Sequence, residues 1–279
     1  MPITYYFLKS IDFSSYNSGS AQASLNRNFI YPILVRVPEP NEQRMIVSVL
    51  GTLDDKIELN RRMNQTLEAM AQSLFKFWFV DATQAALPKG WRFGSLAELM
   101  EIRGGTQPPA SGFLSEPREG YIRLVQIRDY ESESHLTFIP DTPKLRKCKR
   151  DDVMIARYGA SVARICWGLD GAYNVALVKA APAKPFYREY LRSYLKSHDF
   201  QERLIGMSNR SVQAGFNKSD IASFQIPIAP DEVFEAYQNI AWLLRSQILH
   251  NRDESRTLAA LRDVLLPKLL SGELRVPVK

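Results

Sequence analysis

Ten positions between Ile46 and Trp78, spaced alternately four and three residues apart, carry Ile, Leu, Leu, Ile, Asn, Asn, Leu, Ala, Leu and Trp. That spacing keeps one side of an α-helix turned toward a partner, so the stretch requires a second helix to lie against. The chain supplies one. Tyr237, Ala241, Leu244, Ile248, Asn251, Ser255, Leu258, Arg262, Leu265 and Leu269 repeat the spacing farther along. Pro40-Asn41 with Glu42 marks the start of the first helix and Pro230-Asp231 that of the second. The second seam is weaker, because Arg262 interrupts its apolar row and Pro267 is expected to end or kink the helix. Two such helices of about 35 residues, each about 50 Å long, are expected to pair antiparallel. Asn60 and Asn251 would then meet near the crossing and set the register, although a polar residue merely tolerated on a seam is the blander reading.

The two helices belong to a longer internal repeat. Residues 57–69 (IELNRRMNQTLEA) align with 248–260 (ILHNRDESRTLAA), and Ser20-Ala21-Gln22-Ala23 and Asn26 align with Ser211-Val212-Gln213-Ala214 and Asn217. Farther back, Phe7–Phe13 pairs with Tyr194–Phe200. Repeats of this length indicate duplicated structural units. The second copy is preceded by about a hundred residues without a counterpart in the first. The reading is therefore a remnant of a first domain over 1–38, a long helix over 39–80, a linker over 81–87, a full domain over 88–229, and a second long helix with a tail over 230–279.

Charge locates the interesting surface. Residues 88–229 hold 21 Lys/Arg against 15 Asp/Glu, which accounts for the whole net charge of +6. A polyanion would be gripped there, although mild basicity is common in proteins that bind no nucleic acid. No apolar run is long enough to span a membrane, and MPITYYFLKS lacks the order of a signal peptide, so a cytoplasmic protein is expected. Cys148 and Cys166 read as two reduced thiols.

Within 88–229, strand-like runs (Tyr121–Ile127, Val153–Ala156, Ala163–Trp167, Ala176–Ala180, Phe224–Ile228) alternate with turn material, and a helical segment covers Arg188–Ile205. The class is α+β: a mixed sheet with helices on one side, plus the two long helices. Three loops carry residue types suited to DNA: Arg103 with Thr106 and Gln107; Arg157, Tyr158, Ser161 and Arg164; and Asn209, Arg210, Ser211 and Gln213. Gln126 and Arg128 follow a strand and join this set. Arg suits guanine, Gln and Asn suit adenine, and hydroxyls suit phosphates. An ordinary solvated loop is the competing reading for each. Because the Ser-x-Gln-Ala-x-x-Asn pattern occurs in both copies, Ser211, Gln213 and Asn217 are assigned to phosphate contact or loop structure, and base reading to the other loops. The aromatic cluster Phe75, Phe77, Trp78 and Phe79 either packs under the basic domain or forms a docking patch.

Catalytic patterns are missing. There is no phosphate-binding loop motif, no metal-ligand spacing among His135, His198 and His250, and no nucleophile–histidine context. Asp151-Asp152 could bind a metal but more often forms a turn. No cofactor is expected.

Several motifs together resemble the specificity (S) subunits of type I restriction-modification systems. Pro40-Asn41-Glu42-Gln43, then Leu53-Asp54-Asp55-Lys56-Ile57 with Asn60, then Leu67-Glu68 through Trp78-Phe79 are similar to that family's central conserved helix. Leu87-Pro88-Lys89-Gly90-Trp91 resembles the opening of its second target-recognition domain, and Leu265–Leu274 (LLPKLLSGEL) its C-terminal ending. The resemblance implies a subunit without chemistry of its own. Each recognition domain would read one half of a split double-stranded DNA site. The helices would hold the domains apart and dock methyltransferase subunits, with a restriction subunit joining them, and the partners would bring S-adenosylmethionine and ATP.

The departure is that this chain has one full recognition domain and the tail of another. Strand-like Ile33–Val37 in that tail would be left without a sheet and should find a partner, pack on the helices or disorder. A two-fold dimer would restore two recognition domains and read a symmetric site. Two other readings remain open: an interaction scaffold that no longer reads DNA, and a nuclease with an unrecognised site.

Overall fold

The computed structural model describes residues 2–16, 25–208 and 216–276. Seven α-helices occur among them: α1 Ile3–Ser10, α2 Arg27–Ile30, α3 Pro40–Phe75, α4 Arg188–Leu195, α5 His198–Ser208, α6 Lys218–Ala222 and α7 Asp231–Ser271. The chain divides into two compact units, residues 1–67 with 247–279, and residues 68–246. Both divisions fall inside the long helices α3 and α7. No helix among the described residues is long and apolar enough to cross a membrane.

In the first unit, α3 and α7 run antiparallel. Ile46 and Leu50 pack with Leu266, Leu269 and Leu270, while farther along α3 Asp54 meets Arg262 at 2.7 Å and Asn60 meets Ser255 at 3.2 Å. The four-three spacing is what makes this possible: every predicted seam position on both helices is buried or half-buried. Arg262 does not break the row. Its guanidinium pairs with Asp54 inside the seam, and the Tyr6 hydroxyl donates to the other Asp54 oxygen at 2.9 Å. Tyr6 is fully buried between the helices, so α1 packs on them, with Ile3 and Phe7 alongside.

Two expectations fail here. Pro267 does not end α7; the helix runs on to Ser271 and stops at Gly272, whose φ of +77° suits the left-handed turn of a helix end. Pro267 lies within the final turns, so one lost amide bond is outweighed by the burial of Leu266, Leu269 and Leu270 around it. Ile33–Val37 forms no strand, and Leu34 and Val37 are exposed. A strand requires a ladder partner, and among the described residues none lies beside this segment.

The second unit contains ten strands among the described residues: β1 Arg92–Ser95, β2 Met100–Gly104, β3 Tyr121–Val125, β4 Phe138–Pro140, β5 Lys147–Cys148, β6 Val153–Ala156, β7 Ile165–Cys166, β8 Gly171–Tyr173, β9 Leu177–Pro182 and β10 Gln225–Ile228. They form three sheets rather than the single mixed sheet expected: β2-β9-β6-β7, all antiparallel; β4-β3-β8-β5, with β3 and β8 parallel; and the pair β1-β10. The main core lies under the first sheet, where Ile102, Ile155, Val178 and Ala180 meet Leu191, Leu195, Phe200 and Leu204 of α4 and α5.

The aromatic cluster at the end of α3 splits. One turn of π-helix, Lys76–Val80, follows α3, and Phe75 and Phe79 are both buried. The Phe79 ring packs against Phe75, Tyr190, Phe234 and Tyr237 at centroid distances of 5.0–5.7 Å or, for Tyr190, 4.7 Å. Phe77 points outward and is 70% exposed.

Beside this aromatic core is a buried ionic cluster. Arg192, Arg245 and Glu189 are fully buried. Glu189 lies 3.2 Å from Arg192 and 3.5 Å from Arg245, and Glu68 pairs with both Arg245 and Lys196. Both guanidinium groups stack over Trp167, at 4.2 and 5.7 Å. Arg192 also donates to the Asp151 carbonyl at 2.7 Å. Burial lowers the Arg192 pKa to about 10, which leaves it charged at neutral pH.

Candidate nucleic-acid interface

Three of the loops expected to read DNA converge on one short turn, Asn174–Ala176, that sequence reasoning did not single out. The loop after β2 reaches it first: Gly105 N–H donates to Leu177 O at 3.3 Å, and Thr106 N–H to Tyr173 O at 3.0 Å. A side chain at Gly105 would place its Cβ 2.0 Å from Asn174 O, so only glycine allows this approach. The segment after β6 comes next, where Arg157 N–H donates to Ala176 O at 2.8 Å. The end of β3 completes the set, with Asn174 N–H donating to Val125 O at 3.4 Å beside Gln126. Asn174 Oδ1 holds the turn by accepting from Ala176 N–H at 3.2 Å.

On one side of this junction is an open cavity of 440 Å³, lined among others by Gly104, Arg157, Phe216 and Lys218. The Arg157 guanidinium is fixed at its wall. Nε donates to Phe216 O at 3.1 Å, and the plane lies over the Tyr158 ring at 5.0 Å. A cation held by a carbonyl and an aromatic face, with no carboxylate paired to it among the described residues, is available to an anionic or acceptor-rich ligand. Arg103 and Lys218 share Glu101, each at 3.1 Å, and these cations hold the Glu101 carboxyl below the usual range, Lys218 foremost. Gln107 is exposed, whereas the Thr106 hydroxyl is buried with no hydrogen-bond partner among the described residues.

Other predicted residues gather elsewhere. Arg164 pairs with Glu131, at the end of the short 3₁₀ turn Ile127–Tyr130 that carries Arg128. Ser161 ends a second such turn and its carbonyl accepts from Arg164 N–H at 3.0 Å. Ala163 between them is buried with φ of +69°, a strained conformation for a residue with a Cβ. Gln126 is largely committed to structure: it caps the 3₁₀ turn with Asp129 and donates to Thr137 Oγ1 at 3.1 Å. Arg128 is 56% exposed at its side chain, with long contacts to the His135 carbonyl, Thr137 and Asp129. The predicted residues thus form two groups, one around Arg157 and one around Arg128 and Arg164. Asn209, Arg210, Ser211 and Gln213 lie outside the described residues.

The repeated Asn residues have a structural explanation. Asn217 caps α6, its Oδ1 accepting from Ser219 N–H at 2.8 Å and Asp220 N–H at 3.1 Å, and Asn26 caps α2 in the same way through Asn28 N–H at 2.9 Å. Asn60 and Asn251 sit in the helix seam. Asn60 Nδ2 donates to Glu254 Oε2 at 2.7 Å and Ser255 Oγ at 3.2 Å, and Asn251 Nδ2 donates to Asn64 Oδ1 at 2.9 Å. The Asp pair considered for metal is occupied: Asp151 pairs with Arg188, while Asp152 accepts from Lys149 N–H at 2.8 Å and Lys179 Nζ at 3.0 Å. No group of three or more His, Cys, Asp or Glu able to hold a metal occurs among the described residues.

A basic run also escaped the sequence reading. Lys144, Arg146, Lys147, Lys149 and Arg150 fall within seven residues that contain no acid. A plain count of charge in a sliding window would have found it.

Comparison with known proteins agrees with the motifs. Residues 1–69 match the family described as the type I restriction modification DNA specificity domain. The type I restriction enzyme MjaIX specificity subunit of Methanocaldococcus jannaschii is 24% identical over 303 aligned residues, spanning 98% of this chain and 68% of that protein. The HindI specificity subunit of Haemophilus influenzae is 22% identical, spanning 86% of this chain and 69% of that protein. In fold, the chain is similar to the crystal structure of the type I restriction-modification system S subunit from M. genitalium. The TM-score is 0.55 at 18% identity, covering 96% of this chain and 71% of that one. The helix motifs, the match over residues 1–69 and similarity running nearly end to end make this chain similar to the specificity subunits of type I restriction-modification systems.

Proposed function

We propose that the chain is a non-catalytic subunit that reads one half of a split double-stranded DNA site through residues 88–229. Methyltransferase subunits, with a restriction subunit, would dock on its paired helices, whose register Asn60 and Asn251 set. The observation that carries the reading is the convergence of the Arg103–Thr106, Val125-Gln126 and Arg157-Tyr158 segments on the Asn174–Ala176 turn. Three loops from distant parts of the sequence are held by main-chain bonds, so their side chains present one fixed pattern of donors and cations. A fixed pattern is what base-edge discrimination requires. Arg157 is the leading base-contact candidate because its guanidinium is oriented in advance, and the exposed Arg103, Gln107, Arg128 and Tyr158 follow.

The test is the affinity of Arg157→Ala for a duplex enriched from a random pool, compared with a shuffled duplex. A base-reading arginine should cost about 1–3 kcal/mol on the enriched duplex and relax one position of the site. If Arg157→Ala and Arg164→Ala both leave affinity and preference unchanged, the loop assignment is overturned. The scaffold reading would be favoured by equal affinity of the native chain for the two duplexes.

A further inference from the structure

We propose that Lys144, Arg146 and Lys149 form a phosphate-backbone track on the second unit, separate from the base-reading loops. The inference rests on the DNA-reading function above and assigns the sequence-independent part of binding to residues the loops do not contain. The run around β5 is anchored on its inner side, with Cys148 buried and Leu145 half-buried against the core beneath the second sheet. Its main chain is held as well: Arg146 O accepts from Tyr173 N–H at 3.0 Å, and Arg150 N–H donates to Asp170 Oδ1 at 2.9 Å.

The nearby carboxylates are already engaged. Asp141 holds Lys147 at 2.7 Å, Asp152 takes Lys149 N–H and Lys179, and Asp170 takes Arg150 N–H. The Lys144, Arg146 and Lys149 side chains are exposed and form no ion pair among the described residues. Three uncompensated cations on a firmly held edge repel one another, and a polyanion that displaces their counterions relieves that repulsion. Their place beside the reading loops is set by Tyr173. Its N–H meets Arg146 O, its carbonyl accepts from Thr106 N–H, and its hydroxyl donates to Arg103 O at 3.0 Å. A duplex lying over the loops would therefore pass the track with its backbone. Lysine suits that role better than base reading, because it acts as a point charge without the planar fork that recognises guanine.

The experiment measures the salt dependence of binding to the enriched and shuffled duplexes for the native chain and for Lys144→Gln/Arg146→Gln/Lys149→Gln. Each phosphate contact contributes about 0.9 to the slope of log affinity against log salt. The triple variant should therefore lose about 2.7 from the slope while keeping its preference for the enriched duplex. Between 50 and 200 mM salt, affinity of the native chain should fall about 40-fold more than that of the variant. Each single substitution should remove about 0.9, which preserves the test if the triple variant fails to fold. An unchanged slope with native binding intact overturns the track and leaves the DNA-reading function standing. Loss of sequence preference in the triple variant also overturns it, because the residues would then be readers. A native chain that binds neither duplex at any salt overturns both.

Discussion

Replacing Arg245 with Met tests the buried ionic cluster that ties the N-terminal half of α7 to α4. The side chain is fully buried, pairs with Glu68, lies 3.5 Å from Glu189 and stacks over Trp167. Methionine keeps most of the aliphatic length and removes the charge. Glu189 would then be a fully buried carboxylate with Arg192 as its one remaining ion-pair partner among the described residues. Removing one member of a buried pair costs about 3–5 kcal/mol, because the other charge stays behind in a poor solvent. For a unit of this size each kcal/mol lowers Tm by about 2–4 °C, so the variant should melt about 6–20 °C below the native protein. Glu189→Met/Arg245→Met removes the stranded charge as well and should be less destabilised than the sum of the single variants, by about 1–3 kcal/mol. The pH dependence supplies a second sign. Burial raises the Glu68 pKa, but the charges of Arg245 and Lys196 outweigh it and hold the carboxyl below the usual range. A depressed folded-state pKa contributes stability above the unfolded value, about 4.3, that is lost as pH falls through the folded value. The advantage of native protein over Arg245→Met should therefore shrink on acidification below about pH 4.3. Thermal melts across pH, with denaturant unfolding at pH 7, measure all of this. Arg245→Met within about 1 kcal/mol of native, or strict additivity with Glu189→Met, would refute the reasoning.

Asn60→Ala should cost about 1–3 kcal/mol in denaturant unfolding, since it deletes a fully buried amide that bonds to Glu254 and Ser255 across the seam; a change under about 0.5 kcal/mol would show that the amide ladder contributes nothing. Burial pushes the thiols of Cys148 and Cys166 up to about 12 and about 11, which at pH 8 leaves thiolate fractions of about 10⁻⁴ and 10⁻³. A colorimetric disulfide reagent should therefore titrate both cysteines promptly in denaturant and neither in the folded protein, and rapid labelling under native conditions would contradict that burial.

How much could be read in advance depended on whether the signal was local. The helix seam was legible, because a four-three spacing dictates which residues face a partner, and Asn60 and Asn251 stand where it places them. The match between Asn26 and Asn217 was legible as a repeat, and its cause is local too: each caps the helix that follows it. Pro267 does not end its helix, because the rule about proline describes an isolated helix, and packing around Leu266 and Leu269 decides this one. The ionic cluster was hidden. Glu189 and Arg192, three apart on a helix, look like an ordinary surface pair, and only the fold reveals that both are buried, with Arg192 over Trp167. The Asn174–Ala176 turn was equally hidden, since its importance lies in main-chain bonds to three remote segments.

The most direct test of the central claim is selection of duplexes from a random pool by the intact chain, alone and with a type I methyltransferase subunit. The account predicts enrichment of a defined half-site, contacted by residues 88–229 and weakened at a single position by Arg157→Ala. Recovery of bound duplexes with no common sequence, under both conditions, would contradict it.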